Sequence, residues 1–331
     1  MQHLPTLRGP VPLPEPRHVA ARRKVPAKPL CGRADGVLPE QWPVSRRCPA
    51  GTRSTLTMNA LSGVATLETA ASSRVVQLSD THLMRELGGQ LVGIDTDRSL
   101  AAVCRLVAAQ GPVDALLLTG DLAGDEAEEA YGRLEEALAP LGVPSFWLPG
   151  NHDAVWSDDH PLKSHFKRTV QLPHWDILML DTQHPGVVAG FLAGAEIQAL
   201  EQAVDEAQRT GRPLLVATHH PLMPVGCAWL DEIGAENAQA ALARLAPLGE
   251  RAVVISGHVH QDSAQTYQGV QCLTVPSTCI QFAPNSTDFQ VDAQAPGCRM
   301  LTLHESGAWE TTVLRVTDEK FAVDLNSPGY A

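Results

Sequence analysis

Six short apolar runs, each stopping on a polar residue, set the limits on what this chain can fold into. They are RVVQLSD (74–80), DALLLTGD (114–121), PSFWLPGN (144–151), WDILMLD (175–181), RPLLVATHH (212–220) and RAVVISGHVH (251–260). Their length and continuity read as buried strands. Between them Ala, Leu and Val recur at three- and four-residue steps, which predicts helices over Thr96–Gln110, Glu126–Leu138, Gly194–Arg209 and Ala235–Leu245. Strands alternating with helices predict an α/β domain. The tail GCRMLTLHESGAWETTVLRV (297–316) differs: two alternating strands flank Glu305-Ser306-Gly307, a hairpin signal, so the sheet system is mixed. No internal repeat at a fixed period is present.

The first 57 residues follow another rule. They hold 10 prolines and no hydrophobic period, and proline lacks the backbone donor and fixes φ. They carry 10 Lys/Arg against 3 Asp/Glu, which leaves 15 basic and 34 acidic residues for the rest. Residues 1–57 read as a disordered basic extension, 58–73 as a linker, and 74–331 as the folded domain. Three readings of the extension stay open: a solvated tail, sequence upstream of a true start at Met58, or a targeting or interaction arm. The acidic body argues against a broad nucleic-acid surface, since neutralising backbone phosphates needs Lys and Arg. The seven cysteines form no C-x-x-C pair, so a disulfide framework or zinc-thiolate site is disfavoured and a reducing, cytoplasmic setting fits. No apolar stretch approaches the roughly 18 residues of a membrane span, and the N-terminus lacks the apolar core of a secretory signal.

The chemistry sits where the runs end. Asp80 and His82 follow the first, Asp121 the second, Asn151 the third, His219 and His220 the fifth, His258 and His260 the sixth. In open α/β sheets ligands gather at the carboxyl ends of strands. One Asp after Gly is an ordinary turn residue, and one His at a strand end is an ordinary core or surface histidine. Five such ends together are not ordinary, because histidine is not a preferred turn former. Imidazole with carboxylate suits zinc, iron or manganese, and no thiolate is offered. A tetrahedral zinc needs four ligands. Seven candidates (Asp80, His82, Asp121, Asn151, His219, His258 and His260) are too many for one ion and suit two if one carboxylate bridges.

The order Asp-x-His, Gly-Asp, Gly-Asn-His-Asp, His-x-Pro, Gly-His-x-His, running from Asp80 to His260, resembles the calcineurin-like metallophosphoesterase superfamily at every block. The resemblance implies a four-layer sandwich of two packed mixed β-sheets flanked by helices, with a dinuclear metal site at the strand ends. It implies one metal on Asp80, His82, Asp121 and His260, and a second on Asp121, Asn151, His219 and His258, with Asp121 as bridge. Iron or manganese leads, with zinc or cobalt also compatible. Further segments, LVGIDTDRSLAAV, THHPLMPVGCAWLD, PSTCIQFAPNSTDFQVDAQAPG and the ending SPGY, are similar to bacterial class III cyclic-nucleotide phosphodiesterases over about 73–331. Thr218 stands where relatives can carry a third histidine; it precedes the expected ligand and so removes no metal.

That resemblance implies hydrolysis of 3′,5′-cyclic AMP to 5′-AMP by a hydroxide bridging two metals, with a small-molecule substrate and neither nucleic acid nor membrane as partner. His82, Asp121, Asn151, His152, His219 and His260 would meet the substrate. His152 would protonate the leaving ribose oxygen, and Asp125 would orient it; Asp125 reads equally as the N-cap of the helix at Glu126. Two divalent ions, two carboxylates and a hydroxide leave one positive charge, which matches a monoanionic diester better than a dianionic monoester. Ser277, Thr278, Phe282, Trp229 and Asp231 are expected near the nucleotide, and Asp153 as a support for the metal loops or a turn residue. A glycerophosphodiester or 2′,3′-cyclic nucleotide substrate, and a non-catalytic metal-binding scaffold, are the alternatives. Oligomeric state is not legible.

Overall fold

Each apolar run becomes a strand flanked by apolar layers on both sides, and this decides the architecture. The computed structural model describes residues 55–59, 64–68, 71–124, 127–155 and 161–329. The chain divides into Met1–Pro49 and Ala50–Ala331, and every described residue lies in the second unit. The extension up to residue 54 and Asp125 lie outside the described residues.

Thirteen strands build two main sheets among the described residues. In chain order they are β1 (Thr55–Asn59), β2 (Val64–Glu68), β3 (Ser72–Leu78), β4 (Ala115–Thr119), β5 (Ser145–Leu148), β6 (Thr169–Gln171) and β7 (Asp176–Met179). Then come β8 (Leu214–Thr218), β9 (Ala252–Ser256), β10 (Ala264–Tyr267), β11 (Val270–Thr274), β12 (Gly297–His304) and β13 (Trp309–Arg315). One sheet has the order β13-β12-β3-β4-β5, with β3, β4 and β5 parallel and the β12–β13 hairpin antiparallel. The other has the order β1-β2-β6-β7-β8-β9-β11-β10, with β7, β8, β9 and β11 parallel. The stretch read as a linker, 58–73, contains β2 and the first residues of β3, and β2 pairs in parallel with β6. Without β2 that side of β6 would present an open edge.

Four longer helices cover the sheets: α1 (Thr96–Ala108), α2 (Glu128–Leu138), α3 (Gly194–Thr210) and α4 (Ala238–Leu245). Asp95 caps α1 by accepting the Arg98 N–H at 2.9 Å. Gly211 ends α3 in the left-handed conformation at φ 77°, which a residue with a Cβ adopts only at a cost. Successive side chains of a strand point to opposite faces, and the core splits accordingly. Val75, Leu117, Phe146, Ile177, Leu215 and Ile255 meet between the two sheets. Val76 and Leu118 face outward to Leu100, Val103 and Leu134 of α1 and α2. Val216 and Val254 face outward to Leu200 and Leu242 of α3 and α4. The result is the expected helix–sheet–sheet–helix sandwich of two mixed sheets. Among the described residues no helix is long and apolar enough to cross a membrane.

The sheets are also stitched together by polar bonds beside the strand ends. Gln77 Nε2 of β3 donates to Thr119 Oγ1 of β4 at 3.0 Å and to the Ser256 carbonyl of β9 at 3.2 Å. Thr218 Oγ1 and Ser256 Oγ lie 2.8 Å apart at the ends of β8 and β9. The bond from Gln77 to Ser256 crosses from one sheet to the other and favours one arrangement of the two.

Candidate metal centre

Eight non-glycine residues have a left-handed backbone among those described, and five of them are strand-end candidates. They are Asp80 (φ 55°), His82 (43°), Asp121 (50°), His258 (68°) and His260 (48°). Such a conformation costs about 1–3 kcal/mol for a residue with a side chain and persists only where the surroundings impose it. Here they do. The Asp80 N–H donates to the Gly120 carbonyl at 3.0 Å, and the His82 N–H to that of Asp121 at 2.9 Å. The His258 N–H donates to Asp80 Oδ1 at 3.0 Å. Both β3 and β9 therefore turn their first loop residues inward toward the same point.

The side chains converge. His82 Nε2 lies 3.2 Å from His260 Nε2 and 3.7 Å from Asp121 Oδ2. His260 Nε2 lies 3.4 Å from Asp80 Oδ1. On the other side of Asp121, His219 Nε2 is 3.4 Å from the same Oδ2 and 3.2 Å from Asn151 Oδ1. Asp121 thus stands between two groups, while its Oδ1 accepts the His152 N–H at 2.9 Å. His152 is half-buried and meets the His82 ring edge-on, with centroids 5.1 Å apart. The seven predicted ligands and His152 all reach this crevice.

The donor set fits metal ions. His219 Nδ1 lies 2.7 Å from the Thr119 carbonyl and His260 Nδ1 2.9 Å from the Ile280 carbonyl. A carbonyl accepts only, so each Nδ1 carries the proton and each Nε2 presents a lone pair inward. His258 Nε2 is buried without a hydrogen-bond partner. Asp80 and Asp121 are 0% and 2% exposed, and their ion-pair partners are histidines, with no Lys or Arg on either among the described residues. Two carboxylates at that depth need a cation. Burial would raise both, yet the charge of His260 holds Asp80 below the usual carboxylate range and that of His219 holds Asp121 well below it. Burial works against charge on His219 too, but Asp121 lifts it to about 9. Burial brings His82 down to about 3 and His258 well below its ordinary value. Ionised carboxylates and neutral imidazoles at His82 and His258 are protonation states a metal site requires, and a bound ion would displace the proton that Asp121 favours on His219.

The neighbours divide by what they touch. Both ring nitrogens of His220 are engaged, Nδ1 with Thr182 Oγ1 at 2.8 Å and Nε2 with the Val188 carbonyl at 2.9 Å. Although His220 lies close to His219 and His258, it has no lone pair left for an ion. Thr218 Oγ1 donates to the His220 carbonyl at 2.9 Å, a structural bond. Ser277 was expected in the nucleotide wall; it is fully buried and its Oγ donates to the Asp80 carbonyl at 2.7 Å, steadying the ligand loop instead. Asp231 accepts from the Val225 and Gly226 N–H groups at 2.6 and 3.1 Å and holds a turn. Phe282 stacks on the His260 ring at 4.2 Å, and Trp229 packs edge-on against Phe282. That stack was not legible, since a lone Phe reads as core. A cavity of 650 Å³ lined by Pro213, Arg251 and Trp309 lies at the entry ends of β8 and β9, away from the crevice.

Known proteins give the setting. The family model described as calcineurin-like phosphoesterase matches residues 73–262. A Pseudomonas aeruginosa protein named 3′,5′-cyclic adenosine monophosphate phosphodiesterase CpdA is 40% identical over 265 residues, spanning 79% of this chain and 97% of that protein. The Escherichia coli K12 protein of the same name is 38% identical, spanning 78% and 96%. A 3′,5′-cyclic-nucleotide phosphodiesterase of Nostoc is 33% identical, spanning 73% and 92%. Among solved structures, a dimetal phosphatase from Danio rerio superposes with a TM-score of 0.54 at 14% identity, over 74% of this chain and 99% of that one. A purple acid phosphatase from yellow lupin gives 0.55 at 13% identity, over 78% and 55%. These two share the fold.

Proposed function

This chain belongs to the calcineurin-like phosphoesterase family, and from that premise we propose that it hydrolyses 3′,5′-cyclic AMP to 5′-AMP at a dinuclear metal centre. The observation that carries the reading is identity of 33–40% running through nearly the whole length of relatives named for that reaction. The convergence of every strand-end ligand supports it.

Asp80, His82, Asp121 and His260 would hold one ion, and Asp121, Asn151, His219 and His258 the other. Iron or manganese is the first choice, because the donors are imidazole, carboxylate and amide oxygen with no thiolate. When bound, such a pair supplies Lewis-acid charge and lowers the pKa of water toward about 7.

The chain's own residues do the rest. Asp121 Oδ2 faces both groups, and its Oδ1 is tied by the His152 N–H at 2.9 Å. That bond anchors the His152 backbone beside Asp121, from where its imidazole would reach a bound phosphate. There it delivers a proton to the departing ribose O3′, a contribution worth about 10²–10⁴-fold. The Thr119 and Ile280 carbonyls keep His219 and His260 from turning over. Asn151 offers a neutral oxygen, which leaves its side of the site strongly electrophilic. The net charge then favours a monoanionic diester. A cytoplasmic setting fits this substrate and the five free, buried cysteines among the described residues.

The test compares purified, metal-loaded protein on cyclic AMP, cyclic GMP and a generic nitrophenyl diester. Cyclic AMP should be the best substrate. A nitrophenyl diester cleaved far faster than cyclic AMP overturns the substrate assignment while leaving the diesterase chemistry standing.

A further inference from the structure

Asp153, the last residue of the Gly-Asn-His-Asp turn, is 4% exposed and stands in none of the His and Asp groups that could hold an ion. Its carboxylate is instead surrounded by donors. The Leu122 N–H lies 3.0 Å from each oxygen, the Ala123 N–H donates to Oδ1 at 2.9 Å, and the Gly150 N–H to Oδ2 at 2.8 Å. The Tyr131 hydroxyl of α2 donates to Oδ1 at 2.9 Å. That hydroxyl in turn accepts the Ala154 N–H at 2.9 Å. From outside, Gln183 Nε2 donates to the Gly150 and Asp153 carbonyls at 2.9 and 2.6 Å.

A turn residue would need only the bond to Gly150. The bonds to Leu122 and Ala123 span 31 and 30 residues and reach a different strand end. Those two N–H groups directly follow Asp121, and the Gly150 N–H directly precedes Asn151. One buried carboxylate therefore ties the loop after β4 to the loop after β5 on the side away from the metal-facing atoms. The bond from the His152 N–H to Asp121 at 2.9 Å also joins these loops.

We propose that Asp153 and Tyr131 are positioning residues that set the spacing of Asp121 from Asn151 and His152, and so the affinity of the ion shared by Asp121 and Asn151. The inference rests on the ligand reading above. Partners behind metal ligands typically change affinity by about 10–100-fold when removed. Asp153→Asn keeps the volume but turns an NH₂ toward N–H donors, so at least one donor loses its acceptor. Tyr131→Phe keeps the ring and removes one donor and one acceptor.

Metal content is measured without substrate, by elemental analysis after equilibration against graded free manganese; kcat, KM and the thermal midpoint are measured separately. For Asp153→Asn the second equivalent should bind about 10–100-fold more weakly. Its kcat should be low at limiting metal and recover in excess metal, with KM little changed. Tyr131→Phe should move the same way by about threefold to tenfold. Wild-type affinity for both equivalents in either folded variant, with only the midpoint lowered, assigns the group to fold stability and overturns the proposal. If Asp153→Asn does not fold, Tyr131→Phe decides alone. Wild-type protein that binds two ions but ignores cyclic AMP sinks the substrate assignment without touching this one. Wild-type protein that binds no metal pair sinks both.

Discussion

Adding one methyl group at Gly150 should disable the site, whereas the same change at Gly132 should help the protein. A Cβ at Gly150 would lie 2.2 Å from Asp121 Oδ1, 2.4 Å from the Asp121 backbone N and 2.8 Å from His219 Cε1. Ordinary contact begins at 3.4 Å, so Asp121 must retreat by about 1 Å. Displacement of that size costs about 10²-fold in rate when a catalytic geometry is at stake, equal to about 2.7 kcal/mol of barrier. Overpacking adds about 1–3 kcal/mol of destabilisation. At Gly132, within α2, a Cβ meets nothing within 4 Å, so alanine should stabilise the helix by about 0.5–1 kcal/mol. The assay is cyclic AMP turnover at saturating metal, with thermal unfolding of each metal-free variant as the control for folding. Gly150→Ala should lose about 10²-fold in kcat/KM, and Gly132→Ala none. A Gly150→Ala protein with wild-type turnover and wild-type metal content would refute the packing of Asp121 against this turn.

Other predictions follow from the same geometry. His152→Ala should lose about 10²–10⁴-fold in kcat while elemental analysis still finds two metals; unchanged turnover removes His152 from proton transfer. Exhaustive chelation should lower the thermal midpoint, because Asp80 and Asp121 stay buried without a cation, and titrating manganese back should raise it with concentration; a midpoint indifferent to metal contradicts the buried-charge reading. Trp147→Ala, at a fully buried position, should cost about 3–5 kcal/mol in denaturant unfolding. Asp181 is pushed up to about 6 by burial, against the Gln183 N–H that pulls it down. Its charged form is thus disfavoured in the fold, and stability is lost as pH rises from about 4 to about 6. Asp181→Asn should therefore gain up to about 3 kcal/mol at pH 7.5, because a pKa raised from 3.8 to about 6 is worth about 1.4 kcal/mol per pH unit, and nothing below pH 4; a gain independent of pH rejects the assignment.

What the sequence made legible was the part written in side-chain chemistry. Buried strands announce themselves as apolar runs, and Asp80, Asp121, Asn151, His219 and His258 stand where those runs stop. Strands without such a run were not legible. β6 has three residues, and β10 (Ala-Gln-Thr-Tyr) is half-exposed and polar, so neither carries a period strong enough to read. The ligand-orienting groups were hidden for a different reason: the Thr119 and Ile280 acceptors are backbone carbonyls, which every residue has. The left-handed backbone at Asp80, His82, Asp121, His258 and His260 leaves no mark either, because no glycine stands there.

The glycines that do precede ligands changed meaning. Gly-Asp reads as an ordinary turn. At Gly257 the backbone is not left-handed, yet a Cβ would lie 2.0 Å from Ser79 Oγ and 2.9 Å from Asp80 Oδ2. Glycine is needed there for close approach between loops of two sheets, a contact that no local pattern reveals. Asp153 is the same case from the polar side: by sequence a support or a turn residue, and by its partners the tie between two ligand loops.

Two ions held by these strand ends would make this chain a cyclic AMP phosphodiesterase. Metal-free protein titrated with manganese, with cyclic AMP hydrolysis followed by phosphorus NMR, tests it in one sample. The product should be 5′-AMP, at a rate that climbs until two equivalents are bound and then levels. No turnover at two bound equivalents, or 3′-AMP in place of 5′-AMP, contradicts that assignment.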